Sequence, residues 1–172
     1  MKYKMLLIVF LCSMIPLIEL RGSILLGAGM DEIEWISELF NISKGDSLPW
    51  WQNYIVSVIG NMLPVPFILI FIKSILNWMK TGPKFFSKIA NWLENKANKH
   101  SAKFQKSESI ALLLFVGIPL PGTGAWTGSL IAALFGIRMK YSLPAIFAGV
   151  LLAGAIMTFA SYGFLGFLSI FI

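Results

Sequence analysis

Two apolar stretches of this chain are each cut by helix breakers, and any fold it adopts has to accommodate both. The first is Ile15-Pro16-Leu17-Ile18-Glu19-Leu20-Arg21-Gly22-Ser23, and the second runs from Ile118 through Pro119-Leu120-Pro121-Gly122-Thr123-Gly124 to Ser129. Proline removes a backbone donor and glycine admits conformations closed to other residues, so an unbroken helix is disfavoured through either stretch. In hydrocarbon the freed amides and carbonyls need protein or a wet cavity around them. Such breaks are therefore tolerated mainly where something polar binds or passes.

Hydrocarbon is the right solvent to consider. The 172 residues are 57% hydrophobic and 13% charged, with a mean hydropathy of +0.77, which describes an integral membrane protein rather than a domain with a polar surface. Charge-poor runs extend over 5–18, 48–72, 109–137 and 141–172. The last is 32 residues long, more than the roughly 20 that one span needs, and a bend or turn near Gly163 and Gly166 is expected. Lys2 and Lys4 precede an apolar run as in a secretory signal, but no small-residue cleavage site follows, so this segment reads as retained. The net charge of +6 does not point to nucleic acid: seven lysines lie in one linker from Lys80 to Lys106, outside any nucleic-acid-binding motif. Cys12 is the only cysteine and His100 the only histidine, which excludes disulfide frameworks and zinc sites built from several such ligands. No metal or cofactor is implied.

Composition divides the single transmembrane domain into a broken or re-entrant element (5–29), an acidic external connector (30–47), a transmembrane span (48–79), a basic amphipathic linker (80–108), a re-entrant hairpin (109–137), and a span plus a short terminal helix (141–172). The acidic connector carries Asp31, Glu32, Glu34, Glu38 and Asp46, whereas the linker is rich in lysine. By the positive-inside rule the linker is cytoplasmic and the connector external, in a multi-pass protein of the inner (plasma) membrane. The arms around the second break are about ten and twelve residues, half of what a ~30 Å core requires, so the element can enter and return on one side. Re-entry also keeps Arg138 and Lys140 with the other cytoplasmic cations. The first break has similar proportions, and residues 5–29 either re-enter or span.

If both elements re-enter, they do so from opposite faces. The fold class is then an all-α inverted repeat of broken hairpins, each followed by a transmembrane helix. Ile15-Pro16-Leu17 matches Ile118-Pro119-Leu120, and Gly22-Ser23-Ile24 matches Gly128-Ser129-Leu130 with three residues inserted. Amphipathic helices are expected on the lipid surface over Lys80–Lys106 and Asp31–Phe40, and Trp50 and Trp51 would anchor the span at the interface. Gly124, Gly128, Ala132 and Gly136 recur every fourth residue, as do Ala145, Gly149 and Ala153, and these smooth faces are expected to pack on one another.

Glu19 is the sharpest candidate for chemistry. A carboxylate facing lipid at the bilayer centre costs at least ~2.5 kcal/mol, so it should face a cavity or a partner. It would carry a proton or contact a cationic group, with Arg21 holding an anion or balancing the charge; the bland alternative is a satisfied pair that ties down the tip. Pro119, Pro121, Gly122, Thr123, Gly124 and Thr127 form the second site, where hydroxyls sit beside freed backbone and the helix starting near Gly124 aims its positive end at the midplane. Asn61, beside Pro64 and Pro66, either lines a path or caps freed backbone.

Pro16-Leu17-Ile18-Glu19-Leu20-Arg21-Gly22-Ser23-Ile24, Gly60-Asn61-Met62-Leu63-Pro64-Val65-Pro66-Phe67 and Pro119-Leu120-Pro121-Gly122-Thr123-Gly124-Ala125-Trp126-Thr127-Gly128 together resemble the bacterial and archaeal small multidrug export family. That family in turn is similar to the DedA or VTT membrane proteins, and this resemblance implies two re-entrant hairpins and the movement of lipids or lipid carriers. Arg138 meets the DedA arginine motif only loosely.

The expected function is that of a small transporter or flippase. It would export an amphipathic substrate, a drug-like cation or a lipid carrier, between the two broken tips, coupled to protons through Glu19. The expected partners are membrane lipids and that substrate, and this size is compatible with a homodimer. The alternative is a non-transporting scaffold whose basic surface helix binds lipid or a partner protein. No paired aspartates, Ser-His set or metal cluster points to an enzyme.

Overall fold

The computed structural model describes residues 2–29, 47–80, 102–120 and 122–171. The two surface helices expected over Asp31–Phe40 and Lys80–Lys106, and Pro121, fall wholly or largely outside these residues. Every regular element among them is an α-helix: α1 (Lys2–Met14), α2 (Glu19–Gly27), α3 (Trp50–Met62), α4 (Pro64–Lys80), α5 (Ala102–Gly117), α6 (Ala125–Leu134) and α7 (Met139–Phe171). They form two compact units, residues 1–63 with 150–172, and residues 64–149.

In the first unit α1 and α2 pack on each other across the turn at 15–18, and both pack on α3. The core is a cluster that includes Ile8, Val9, Cys12, Ile18 and Leu26. Contact between α1 and α3 depends on Gly60, where a Cβ would lie 2.6 Å from the Phe10 carbonyl oxygen. In the second unit α6 packs on α4 and on α5.

Two helical stretches, Trp50–Phe71 and Met139–Gly163, are long and apolar enough to cross a bilayer, yet only 39% of an apolar 18-residue window in each is buried. A core helix of a water-soluble protein would hide most of such a surface. Instead Ile55, Ile59 and Leu63 are exposed at four-residue spacing in the first unit, and Phe67, Ile70 and Phe71 are exposed on α4 in the second. Tyr3, Leu7 and Leu11 form another stripe on α1, continued by Ile15 just past its end, and Ile110 and Leu114 a further one on α5, continued by Ile118. Contiguous apolar surface on helix after helix is a surface for lipid.

Prolines account for the one-residue interruption at Leu63. Pro64 and Pro66 cannot donate to the Gly60 and Met62 carbonyls four residues back, although the Leu63 amide still reaches the Ile59 carbonyl at 3.1 Å. No break separates a short terminal helix near Gly163 and Gly166, because α7 is continuous to Phe171. A glycine costs a helix only about 1 kcal/mol, and no proline follows to enforce a stop. The first arm of the second hairpin is also longer than expected: α5 begins at Ala102, so Glu108 belongs to the hairpin and not to the basic linker.

The small-residue faces of α6 and α7 both close on Val116 of α5 rather than simply on each other. A Cβ at Gly128 would stand 2.5 Å from Val116 Cγ2, and one at Gly149 would stand 2.8 Å from Val116 Cβ. Gly136 serves a different purpose. At φ +68° it ends α6, with its amide on the Ala133 carbonyl and the Ile137 amide on the Ala132 carbonyl, a pairing that calls for a left-handed residue. Gly29, at φ +80°, ends α2 in the same way with its amide on the Leu26 carbonyl.

Candidate functional site: the two broken hairpins

The candidate residues divide between the units, with Glu19, Arg21 and Asn61 in the first and 119–127 in the second. In the first hairpin α1 stops at Met14, and Ile15-Pro16-Leu17-Ile18 forms a turn held by the Ile18 and Glu19 amides on the Ile15 carbonyl (3.2 and 2.8 Å). Glu19 opens α2 with φ +50°, the one non-glycine residue of positive φ among the described residues. An L-residue with a Cβ pays about 1–2 kcal/mol for that conformation.

The Glu19 side chain is also 8% exposed in an apolar element. Arg21 is half-buried and electrostatically coupled to it. The first turn of a helix favours a carboxylate, so the Glu19 charge is supported both by the α2 amides and by the guanidinium. Asn61 is 1% exposed, and its Oδ1 finds no hydrogen-bond donor among the described residues.

The second hairpin breaks between Gly117 and Ala125. The expected hydroxyls are present, but their protons serve the loop itself. The Thr123 hydroxyl lies 2.8 Å from the Ile118 carbonyl and 2.9 Å from that of Leu120, and its oxygen accepts the Leu120 amide at 3.3 Å. Thr127 donates to the Gly124 carbonyl at 3.3 Å. Gly122 turns the chain at φ +81°, and α6 starts after extended Gly124 with no side-chain cap. Pro119 is half-buried beside exposed Leu120.

A polar network in the first unit has no counterpart in the sequence reading. Asn53 Nδ2 donates to the Ile24 carbonyl (2.7 Å) and to the Tyr162 hydroxyl oxygen (3.0 Å). The Tyr162 hydroxyl donates to the Leu48 carbonyl (2.8 Å), with the Gly27 carbonyl 3.2 Å away. The Ile24 carbonyl, which already accepts the Ala28 amide at 2.9 Å, thus gains a second donor from α3, and the Gly27 carbonyl at the end of α2 accepts the Leu48 amide at 2.8 Å beside the phenol from α7. The signal was there to read: an asparagine and a tyrosine inside apolar spans need partners. Beside this network Trp50, Tyr54, Thr158, Phe159 and Tyr162 line an aromatic cleft of ≈ 460 Å³.

Short broken hairpins, bilayer-length helices and continuous apolar stripes define an all-helical membrane protein with interrupted elements. A family profile matches residues 19–156, which run from the start of α2 through the whole of Trp50–Phe71 and the second break to most of Met139–Gly163. The chain belongs to that family, described as putative small multi-drug export protein. No protein of curated function and no solved structure matches it.

Proposed function

We propose that this protein is a multi-pass inner-membrane transporter or flippase that exports an amphipathic substrate and couples that export to protons through Glu19. In this reading both broken elements are re-entrant hairpins of opposite orientation, as in an inverted repeat. Arm lengths support it: α1, α2 and α6 have 13, 9 and 10 residues, which at ~1.5 Å each fall well short of a ~30 Å core. So does the local likeness of the hairpins. Each has an Ile-Pro-Leu turn, a short helix with a buried Gly-Ser pair, and a left-handed closing glycine.

One observation carries the proposal: a nearly buried carboxylate held in a strained backbone conformation at the break of an apolar hairpin. Protonated, Glu19 is neutral and cheap to keep in an apolar setting; ionised, it draws on Arg21 and the α2 amides. Proton coupling requires a group whose two protonation states can each be accommodated. Arg21 sets the balance.

Purified protein in liposomes with an imposed pH gradient tests this, with radiolabelled tetraphenylphosphonium and a fluorescent polyisoprenyl phosphate as probes. Glu19→Gln should reduce gradient-driven flux to the level of empty liposomes while the protein elutes and unfolds as wild type. Undiminished flux would remove Glu19 from the mechanism.

A further inference from the structure

Four aromatic rings line the cleft beside the Asn53–Tyr162 network, and the protein itself fixes two of them. Trp50 and Tyr54, four residues apart, supply one wall from α3, and Ala155, Thr158, Phe159 and Tyr162, three and four apart, supply the other from one face of α7. The Tyr54 hydroxyl donates to the Leu151 carbonyl at 3.1 Å, and its ring packs on Gly154, where a Cβ would stand 2.8 Å from Cε2. The Tyr162 hydroxyl donates to the Leu48 carbonyl at 2.8 Å. With both protons committed to backbone, what these tyrosines offer a ligand is their rings. Trp50 and Phe159 are exposed at the rim. Among the described residues no acid or cation lines the cleft. Trp50 is also the first residue of the bilayer-length stretch Trp50–Phe71, so the cleft opens at the end of a span rather than at its middle.

We propose that this cleft binds a lipophilic organic cation, a small molecule whose positive centre sits among the rings of Trp50, Tyr54, Phe159 and Tyr162. Ring faces carry the negative part of the aromatic quadrupole, and tryptophan attracts cations best. An anion would meet those faces unfavourably, and a neutral lipid chain would fill the space but gain nothing from their charge. A hydrated metal ion would find no carboxylate in the lining to replace its water. The charge of the adjoining chain selects in the same direction. Tyr162 holds the carbonyl of Leu48, the residue that follows segment 30–47, in which five acids stand against one lysine. That excess draws cations toward this end of the unit. The volume of ≈ 460 Å³ falls within the range of small-molecule sites. That this cation is exported cargo rests on the function proposed above; its binding does not.

The test uses the full-length protein in dodecyl maltoside. Equilibrium binding of tetraphenylphosphonium is compared with that of tetraphenylborate, an anion of nearly the same shape. Wild type should prefer the cation about tenfold or more. Trp50→Leu combined with Phe159→Leu keeps apolar bulk but removes two rings, and should weaken cation binding about tenfold and erase the preference, whereas Trp50→Phe alone should keep it. Both residues are exposed, so neither exchange opens the core. Ala155→Leu, which narrows the cleft from an exposed position without changing its charge, should weaken cation binding by a similar factor. Equal affinity of wild type for the two ions, the mark of a groove for lipid chains, overturns the proposal, as does wild-type cation affinity in the double variant or in Ala155→Leu. Charge-selective binding without flux in liposomes would remove the export reading and leave this site standing.

Discussion

The contact between Gly128 and Val116 makes a quantitative prediction about how the second unit holds together. Val116 is 1% exposed, and a methyl group at Gly128 would stand 2.5 Å from its Cγ2. The next neighbours, Leu112 Cδ1 and Ile146 Cγ1, lie at 3.6 and 3.9 Å, ordinary contact distances. One side-chain atom therefore accounts for the whole conflict. Gly128→Ala gains about 1 kcal/mol of helix propensity and loses about 1–3 kcal/mol to overpacking. Val116→Ala removes two buried methyl groups, at a cost of about 1–3 kcal/mol. In the double variant the obstructing Cγ2 is gone, so the combined loss should fall short of the sum by the overpacking term, about 1–3 kcal/mol. The four proteins of the cycle are unfolded by SDS in mixed micelles and followed by far-ultraviolet circular dichroism. Gly149→Ala is the control. Its methyl meets the Leu113 carbonyl oxygen and Val116 Cβ, both at 2.8 Å, and both persist in Val116→Ala, which removes only the looser contact with Val116 Cγ1 at 3.0 Å, so little relief should follow. Additivity within about 0.5 kcal/mol for Gly128 and Val116, or equal relief at Gly149, would refute the reasoning.

Tyr162→Phe should destabilise the protein by about 1–3 kcal/mol in the same assay, near the lower figure because the Gly27 carbonyl keeps the Leu48 amide at 2.8 Å; no change would mean that the network contributes nothing. Glu19→Gly should abolish gradient-driven flux while raising stability by about 1 kcal/mol through relief of the positive φ, whereas Glu19→Ala should abolish flux with no such gain. Equal stabilities for those two variants would dismiss the strain. In a background lacking Cys12, cysteines at His100 and Met139 should react with an impermeant maleimide from one side of the membrane and a cysteine at Gly45 from the other. Labelling of 100 and 139 from opposite sides would make the third apolar stretch a full crossing.

The parts of this structure legible in the sequence are those governed by local backbone chemistry. Pro16 and Pro119 mark the ends of the first arms, Gly124 precedes α6, and Pro64 coincides with the interruption of the first long span, because a missing donor acts on its own helix whatever surrounds it. What escaped was non-local or depended on context. Asn53 and Tyr162 are 109 residues apart, and nothing in either neighbourhood names the other. Gly136 keeps the four-residue rhythm of a packing face but acts as a helix terminator, a distinction that only its φ reveals. Glu108 was hidden by arithmetic: counted as the last residue of a lysine-rich linker it is one more surface charge, and once α5 starts at Ala102 it faces a cleft. Glu19 stood out in the sequence as a buried acid, but its backbone strain could not be read there.

Tyr162 gives the chain an order of assembly. Residues 64–149 are contiguous and complete as soon as they leave the ribosome, whereas the other unit is built from both ends of the chain. Until the second half of α7 is synthesised, the Leu48 carbonyl lacks its phenol donor and the Asn53 amide holds Ile24 without Tyr162. The earliest hairpin to enter the membrane is thus the last to be fastened, and a nascent chain arrested before its final turns would carry an open latch at its beginning.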